Sequence, residues 1–194
     1  ITISRQFGSM GRSIAKELSE NLGIEFLDRD IVEATAKRME LPVSVISDEE
    51  ESMKSTFFRR QYPLGMGMSS LKDEIFYTQK NIIRDFAAKG SCIIVGRCAD
   101  YALASNPDCL SIFVHADMDD RIKRVSKRED VTESKAKDMI QKRDKQRSSY
   151  YNYYTCKKWG DSRSYDLTLN TSKITPEACV DIILDFRKKM EQKK

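Results

Sequence analysis

An α/β fold built on a five-stranded parallel sheet is predicted by three observations: alternation of strand and helix periods, β-branched strand cores, and a glycine-punctuated turn at the first strand–helix junction. Strands read at Ile1 to Ser4, Glu25 to Leu27, Cys92 to Val95, Leu110 to His115 and Asp166 to Leu169, each followed by a stretch of helical spacing or composition. Such alternation implies a parallel sheet covered by helices. In the first unit Ile1 and Ile3 sit in a strand, while Ile14, Leu18 and Leu22 recur every four residues, so the period changes across Gly8 to Gly11. Further along, Asp117 and Thr132 are placed to cap helices, and Thr175 with Pro176 starts the last one. The stretch of about 29–90 interrupts the alternation as a helical insertion. Within it Asp48 to Glu51 reads as an exposed acidic run, and Tyr62 to Met68 as a loop carrying Met66 and Met68.

The first turn carries the chemistry. A glycine-rich turn at a helix N-terminus presents unpaired N–H groups and the positive end of the helix dipole, an environment that attracts phosphate. Against the P-loop pattern G-x-x-x-x-G-K-[ST], the segment Gln6 to Ser13 matches at Gly11 and Ser13. Gln6 stands where the first glycine belongs, and Arg12 replaces the lysine. Arg12 keeps a permanent charge and can bridge phosphate oxygens, although its fork cannot occupy the compact site of an ammonium. Phosphate binding follows more directly from these residues than phosphoryl transfer does.

Composition bounds the rest. With 194 residues and 40% hydrophobic content the chain can bury the core of one domain. Apolar runs such as Cys92 to Val95 are far short of a membrane span, and no charged-then-apolar leader is read before the first strand, so a cytoplasmic protein is expected. Five cysteines without a C-x-x-C pair, and a single histidine, His115, exclude a disulfide framework and a zinc site as readings. The cysteines are expected to be reduced core thiols, and His115 a structural residue. Net charge is +4, yet residues 121–163 hold 14 Lys and Arg against 6 Asp and Glu. This excess is either a solvated helix face or a surface for a polyanion. Nucleotide phosphates suit it; nucleic acid has no accompanying zinc-finger or RNP pattern and only one aromatic cluster, Tyr150 to Tyr154. Those tyrosines and Trp159 read as packing at the ligand edge of the sheet. The cations of the Arg187 to Lys194 run suit a helix C-terminus.

The opening Ser4-Arg5-Gln6-Phe7-Gly8-Ser9-Met10-Gly11-Arg12 is similar to the S-R-E-F-G-S-G-G-R of the cytidylate kinase-like family, a branch of the P-loop nucleoside monophosphate kinases. Phe26-Leu27-Asp28, Val95-Gly96-Arg97, Ile112-Phe113-Val114, Asp144 to Tyr151, Trp159-Gly160-Asp161 and Tyr165 to Asn170 follow in that family's order, so the resemblance covers nearly all of the chain. It implies a single three-layer P-loop NTPase domain over 1–194, with the insertion on the acceptor side and a basic lid at about 119–163. It also implies ATP as donor, Mg²⁺, and a nucleoside monophosphate acceptor, CMP or dCMP. Main-chain amides from Gly8 through Ser9, Met10, Gly11 and Arg12 to Ser13 would hold the donor's β-phosphate, Ser13 would contact Mg²⁺, and Arg12 would take the lysine's role.

Arg97 directly follows an apolar strand at the carboxyl edge, where ligands of open α/β sheets bind, and resembles the arginine of the family's G-R-D motif. The aspartate is displaced here to Asp100, three positions on, where it could pair with Arg97 on a helical turn. Asp28 ends a strand at the same edge and reads either as an acceptor contact or as a helix cap. Arg124, Arg128, Arg143 and Arg147 are the lid's phosphate contacts by resemblance, Arg143 and Arg147 sharing a helix face, with Asp144 orienting a guanidinium. Asn170 to Lys173 occupies the loop that approaches adenine in this fold, or is a polar turn. Two readings other than a CMP kinase stay open. One is a kinase for a different small-molecule acceptor; the other is an inactive nucleotide-binding regulatory protein, which the Gln6 and Arg12 departures motivate. Oligomeric state is not legible.

Overall fold

The computed structural model describes residues 1–51 and 71–192. In it β1 (Thr2–Arg5), β2 (Glu25–Leu27), β3 (Cys92–Val95), β4 (Ser111–His115) and β5 (Leu167–Asn170) form one sheet in the order β2-β3-β1-β4-β5. Every adjacent pair is parallel. All five predicted strands are present, displaced by a residue in three cases. β1 runs to Arg5 because that residue pairs with Val114, and β5 runs to Asn170 opposite His115. Asp166 stays outside β5: its carboxylate accepts from both the amide and the hydroxyl of Ser111, at 2.8 and 2.6 Å.

Period-two alternation sorts the strand side chains between the faces. On one face Ile3, Ile93, Val95, Ile112, Val114 and Leu169 meet α1 (Gly11–Leu22) and α8 (Pro176–Gln192), through Ile14, Ala15 and Leu18 and through Cys179, Val180 and Ile183. On the other, Leu27, Cys92 and Ile94 pack under α2 (Asp30–Met39), α4 (Leu71–Lys89) and the short α5 (Ala99–Ala102). Each such buried aliphatic contributes about 1.5–3 kcal/mol relative to exposure, which makes these layers the main source of stability. α3 (Val43–Glu51) adds Ile46 to a small core with Val32, Ala36 and Ile75. The predicted exposure of Asp48 to Glu51 concerns side chains outside the described residues, and the loop with Met66 and Met68 lies outside them too.

Beyond β4, α6 (Met118–Glu129) and α7 (Glu133–Thr155) pack together through Val125, Ala136 and Ile140, and Phe7 from the first turn joins that cluster. Thr132 caps α7 by accepting from the Lys135 amide at 3.3 Å, and Thr175 caps α8 through the Ala178 amide at 3.2 Å. Asp117 holds the cap position of α6, but its side chain makes no cap bond. It accepts instead from Asn170 Nδ2 at 3.4 Å and lies 3.9 Å from Lys173, partners that the neighbouring strand end supplies. Tyr151 is buried, Tyr154 stacks on Phe76 at 3.9 Å, and Trp159 meets Phe113 edge-on, so the aromatic cluster is packing, except for exposed Tyr153. Cys92, Cys98 and Cys179 are buried free thiols, Cys109 is partly buried and Cys156 is exposed. Among the described residues no helix is long and apolar enough to cross a membrane.

Candidate active site

The loop from Gln6 to Met10 hangs from the end of β4. The Gln6 amide donates to the Val114 carbonyl at 3.0 Å, and its side-chain oxygen accepts from the Ala116 amide at 3.2 Å. Ser9, buried, donates its hydroxyl to the carbonyls of Gln6 and Val114. Gln6 therefore braces the loop where the P-loop pattern has a glycine. Gly8 has φ 79°, and a Cβ there would lie 2.9 Å from Val125 of α6. Met10 is left-handed at φ 65°, a conformation that a bulky residue adopts only where surrounding structure imposes it. No side chain caps α1 and no acidic residue enters its first turn, so its leading amides remain available to an anion.

These amides open on a cavity of about 580 Å³ lined by Gln6 to Ser13 and six cations, Arg5, Arg12, Arg124, Lys127, Arg128 and Arg147. Arg124 is braced on the end of β5, donating to the Thr171 hydroxyl and carbonyl at 2.9 and 2.7 Å, while the Thr171 hydroxyl donates to the Ser9 carbonyl. Arg128 and Arg147 lie over the Phe7 ring at 4.9 and 5.6 Å, so the ring orients two guanidinium groups at once. Arg147 also donates to the Arg5 carbonyl at 3.1 Å. Burial lowers its pKa to about 10, with Asp144 opposing and Arg143 assisting, which leaves it charged at neutral pH. Arg143, expected beside it, does not line the cavity.

Asp144 fastens α7 to the loop. One oxygen accepts from the Phe7 amide at 2.7 Å and the other from Arg121 at 2.5 Å. The Arg121 side chain is only 6% exposed, and the same guanidinium donates to the Phe7 carbonyl. The expected orienting role of Asp144 is thus exercised on Arg121, whose position in a basic, helical stretch reads in sequence as solvated.

At the ends of β2 and β3 a second cluster forms around Asp28. Its carboxylate accepts from Arg12 Nε at 2.6 Å and from Arg97 at 3.4 Å, and Arg5 lies 3.9 Å away. The cap reading of Asp28 is corrected: Arg29 holds the cap position of α2, and the Asp28 side chain is committed to guanidinium groups. Burial pushes the Asp28 carboxyl up, but the Arg12 hydrogen bond and the charges of Arg5 and Arg97 outweigh it and hold the pKa below the ordinary 3.8. A depressed carboxyl stabilises the fold above its ordinary pKa and loses that contribution as pH falls through the folded value. Asp28→Asn is therefore expected to melt below the parent at neutral pH, with the gap closing in melts taken below pH 3.8.

Arg97 and Cys98 follow Gly96 with φ 52° each, backbone strain of the kind that functional sites hold in place. Asp100 does not pair with Arg97. It is buried, and its Oδ2 accepts from the Tyr151 hydroxyl at 2.6 Å; burial raises its pKa despite that bond. The backbone turn at Arg97 and Cys98 directs the two side chains apart, which spacing along an assumed helix could not register. Gln6 and Arg121 were also missed as site residues, since their partners come from distant segments; Thr171 lay in the loop read as bordering adenine or as a polar turn, and Arg5 stood in the quoted motif without a role.

A glycine-punctuated turn at an uncapped helix N-terminus, a cation-lined cavity and a 2-3-1-4-5 parallel sheet define a P-loop NTPase α/β fold. The model of the cytidylate kinase-like family matches residues 1–173. The chain belongs to that family, a branch of the nucleoside monophosphate kinases. It is similar to the cytidylate kinase of Sulfolobus acidocaldarius, 28% identical over 186 residues that cover 95% of this chain and 91% of that one. Identity to the cytidylate kinase of Halobacterium salinarum is 25% over 189 residues, covering 95% and 87%. Among solved structures, an uncharacterized protein from Eubacterium ventriosum aligns with TM-score 0.74 at 32% identity, covering 96% of each chain. A shikimate kinase from Bacteroides thetaiotaomicron shares the fold, with TM-score 0.58 at 11% identity and coverage of 96% and 97%.

Proposed function

We propose that this protein transfers the γ-phosphoryl group of ATP to a nucleoside monophosphate, with CMP and dCMP as preferred acceptors. The observation that carries the reading is the adjacency of two clusters: a cation-lined cavity at the first turn and, sharing Arg5 and Arg12 with it, the Asp28–Arg97 cluster at the ends of β2 and β3. An acceptor phosphate oxygen attacks the γ-phosphorus, a new P–O bond forms, the bond to the β–γ bridging oxygen breaks, and ADP departs. Little covalent participation is asked of the protein. It must hold the two oxygens in line and neutralise charge spread over the moving group.

In this reading the amides from Gly8 to Ser13 hold the β-phosphate, Arg12, Arg124, Arg128 and Arg147 neutralise charge, and Arg97 with Asp28 receives the acceptor. Arg143 acts from behind Arg147, and Asp100 through Tyr151. Helices α6 and α7 form the lid over the donor, α2 and α4 of the insertion flank the acceptor, and Asn170 to Lys173 borders adenine. The described residues hold no cluster of three or more His, Cys, Asp or Glu, which suits an ion shared mainly with phosphate oxygens and water. Ser13, on the cavity wall, is the residue that would hold Mg²⁺, and the ion supplies charge neutralisation when bound.

The test is ATP consumption with Mg²⁺ across CMP, dCMP, UMP, AMP and GMP, with the product identified. CDP or dCDP formation supports the reading. ATP binding without turnover on any acceptor favours the regulatory alternative, for which the commitment of Arg12 to Asp28 is the supporting observation. Turnover confined to an acceptor that is not a nucleotide removes the CMP assignment. Arg97→Ala is expected to raise KM for the acceptor about 10- to 100-fold, the value of a lost charge-assisted hydrogen bond, while ATP affinity stays within about threefold. Equal loss of both ligands would contradict the separation.

A further inference from the structure

We propose that Arg5, at the end of β1, is the catalytic cation that reaches the transferred phosphoryl group, taking the role that the P-loop pattern gives to a lysine at position 12; this rests on the phosphotransfer reading above. Gly11 is the first residue of α1, and helical Cβ atoms tilt toward the N-terminus, so a side chain there would point back over the cradle. A Cβ on Gly11 would lie 2.6 Å from Arg5 Cβ and 3.1 Å from its Cγ. The two side chains therefore compete for one space, and Arg5 fills it. Its guanidinium continues past Gly96, where a Cβ would lie 2.1 Å from Arg5 Nη1. Two glycines on different elements are thus required by a single arginine.

Arg12 is placed differently. One residue further round the helix, it extends to Asp28 with its side chain 64% exposed, against 18% for Arg5. Arg5 lines both the 580 Å³ cavity and a smaller one of about 60 Å³, which Arg97, Arg147, Tyr151 and Trp159 also border. It lies 3.9 Å from Asp28. Arg5, like Arg147, borders both cavities and so stands between the phosphate-loop side and the Asp28–Arg97 cluster, whereas Arg12 is the more exposed side chain.

The experiment compares Arg5→Met, which keeps the apolar stem against Gly11 and Gly96, with Arg5→Gly and with the double variant Arg5→Gly/Gly11→Lys. Readouts are turnover with ATP and CMP, affinity for a non-hydrolysable ATP analogue, and thermal melting. Arg5→Met is expected to lower kcat at least about 10³-fold, the effect of an arginine that reaches the phosphoryl transition state. Affinity for the analogue should fall about tenfold. The double variant should recover at least about tenfold in both over Arg5→Gly, because a lysine grown from residue 11 re-enters the vacated space. A folded Arg5→Met protein within threefold of the parent in both readouts overturns the proposal, as does a folded double variant without recovery. A parent that phosphorylates no nucleoside monophosphate overturns the acceptor reading instead, and the analogue titrations then decide the assignment of Arg5 by themselves.

Discussion

Asp144→Ala is expected to lower the melting temperature by about 10 °C. Removing one partner of a buried ion pair leaves the other charge uncompensated, at a cost of about 3–5 kcal/mol. For a chain of this size each kcal/mol moves the midpoint by about 2–4 °C. Arg121, at 6% side-chain exposure, has no solvent to turn to, and the Phe7 amide loses its acceptor in the same substitution. Asp144→Asn should fall between the two, since a neutral oxygen can still accept from Phe7. Melting of all three proteins by circular dichroism checks the order. An alanine variant that melts with the parent would show that Asp144 is dispensable to the junction of α7 with the phosphate loop.

Arg147→Met is expected to reduce kcat by about 10³ with a much smaller change in stability. The guanidinium lines both cavities, lies over Phe7 and stays charged at neutral pH with a pKa of about 10. A methionine retains contact with the ring and removes the charge, so single-turnover rates report the charge alone. A folded variant whose rate stays within tenfold would restrict Arg147 to bracing β1 through the Arg5 carbonyl. Its effect should not be additive with that of Arg5→Met, because the two residues are in contact and border the same cavities.

Local signals carried far in this chain. The change of period across Gly8 to Gly11 marked the turn before the first helix, and contiguous apolar runs marked β3 and β4, because strand burial on both faces leaves a contiguous imprint. Thr132 and Thr175 were legible as caps since a cap bonds within three residues. Asp117 fits the same local rule, yet its carboxylate is drawn to Asn170 and Lys173, more than fifty positions away. Arg143 and Arg147 look equivalent on a helical wheel; only the second lines the cavity, because the two stand one helical turn apart along α7 and the cavity lies at the level of Arg147.

By itself the sequence determined the parallel α/β class, the glycine-punctuated turn that opens the first helix and the concentration of cations in residues 121–163, and its ordered motifs carried the family resemblance. The class and the turn follow from residue types and short spacings, which torsional preference and solvent exclusion translate directly into structure. The tertiary structure alone decided what each arginine contacts. Arg12 is directed to Asp28, Arg121 is buried on Asp144, Arg124 is braced on Thr171, and Arg5 is threaded between Gly11 and Gly96. A guanidinium is long and carries the same charge wherever it stands, so its role is set by the carboxylates, carbonyls and glycine gaps that other segments bring within its reach.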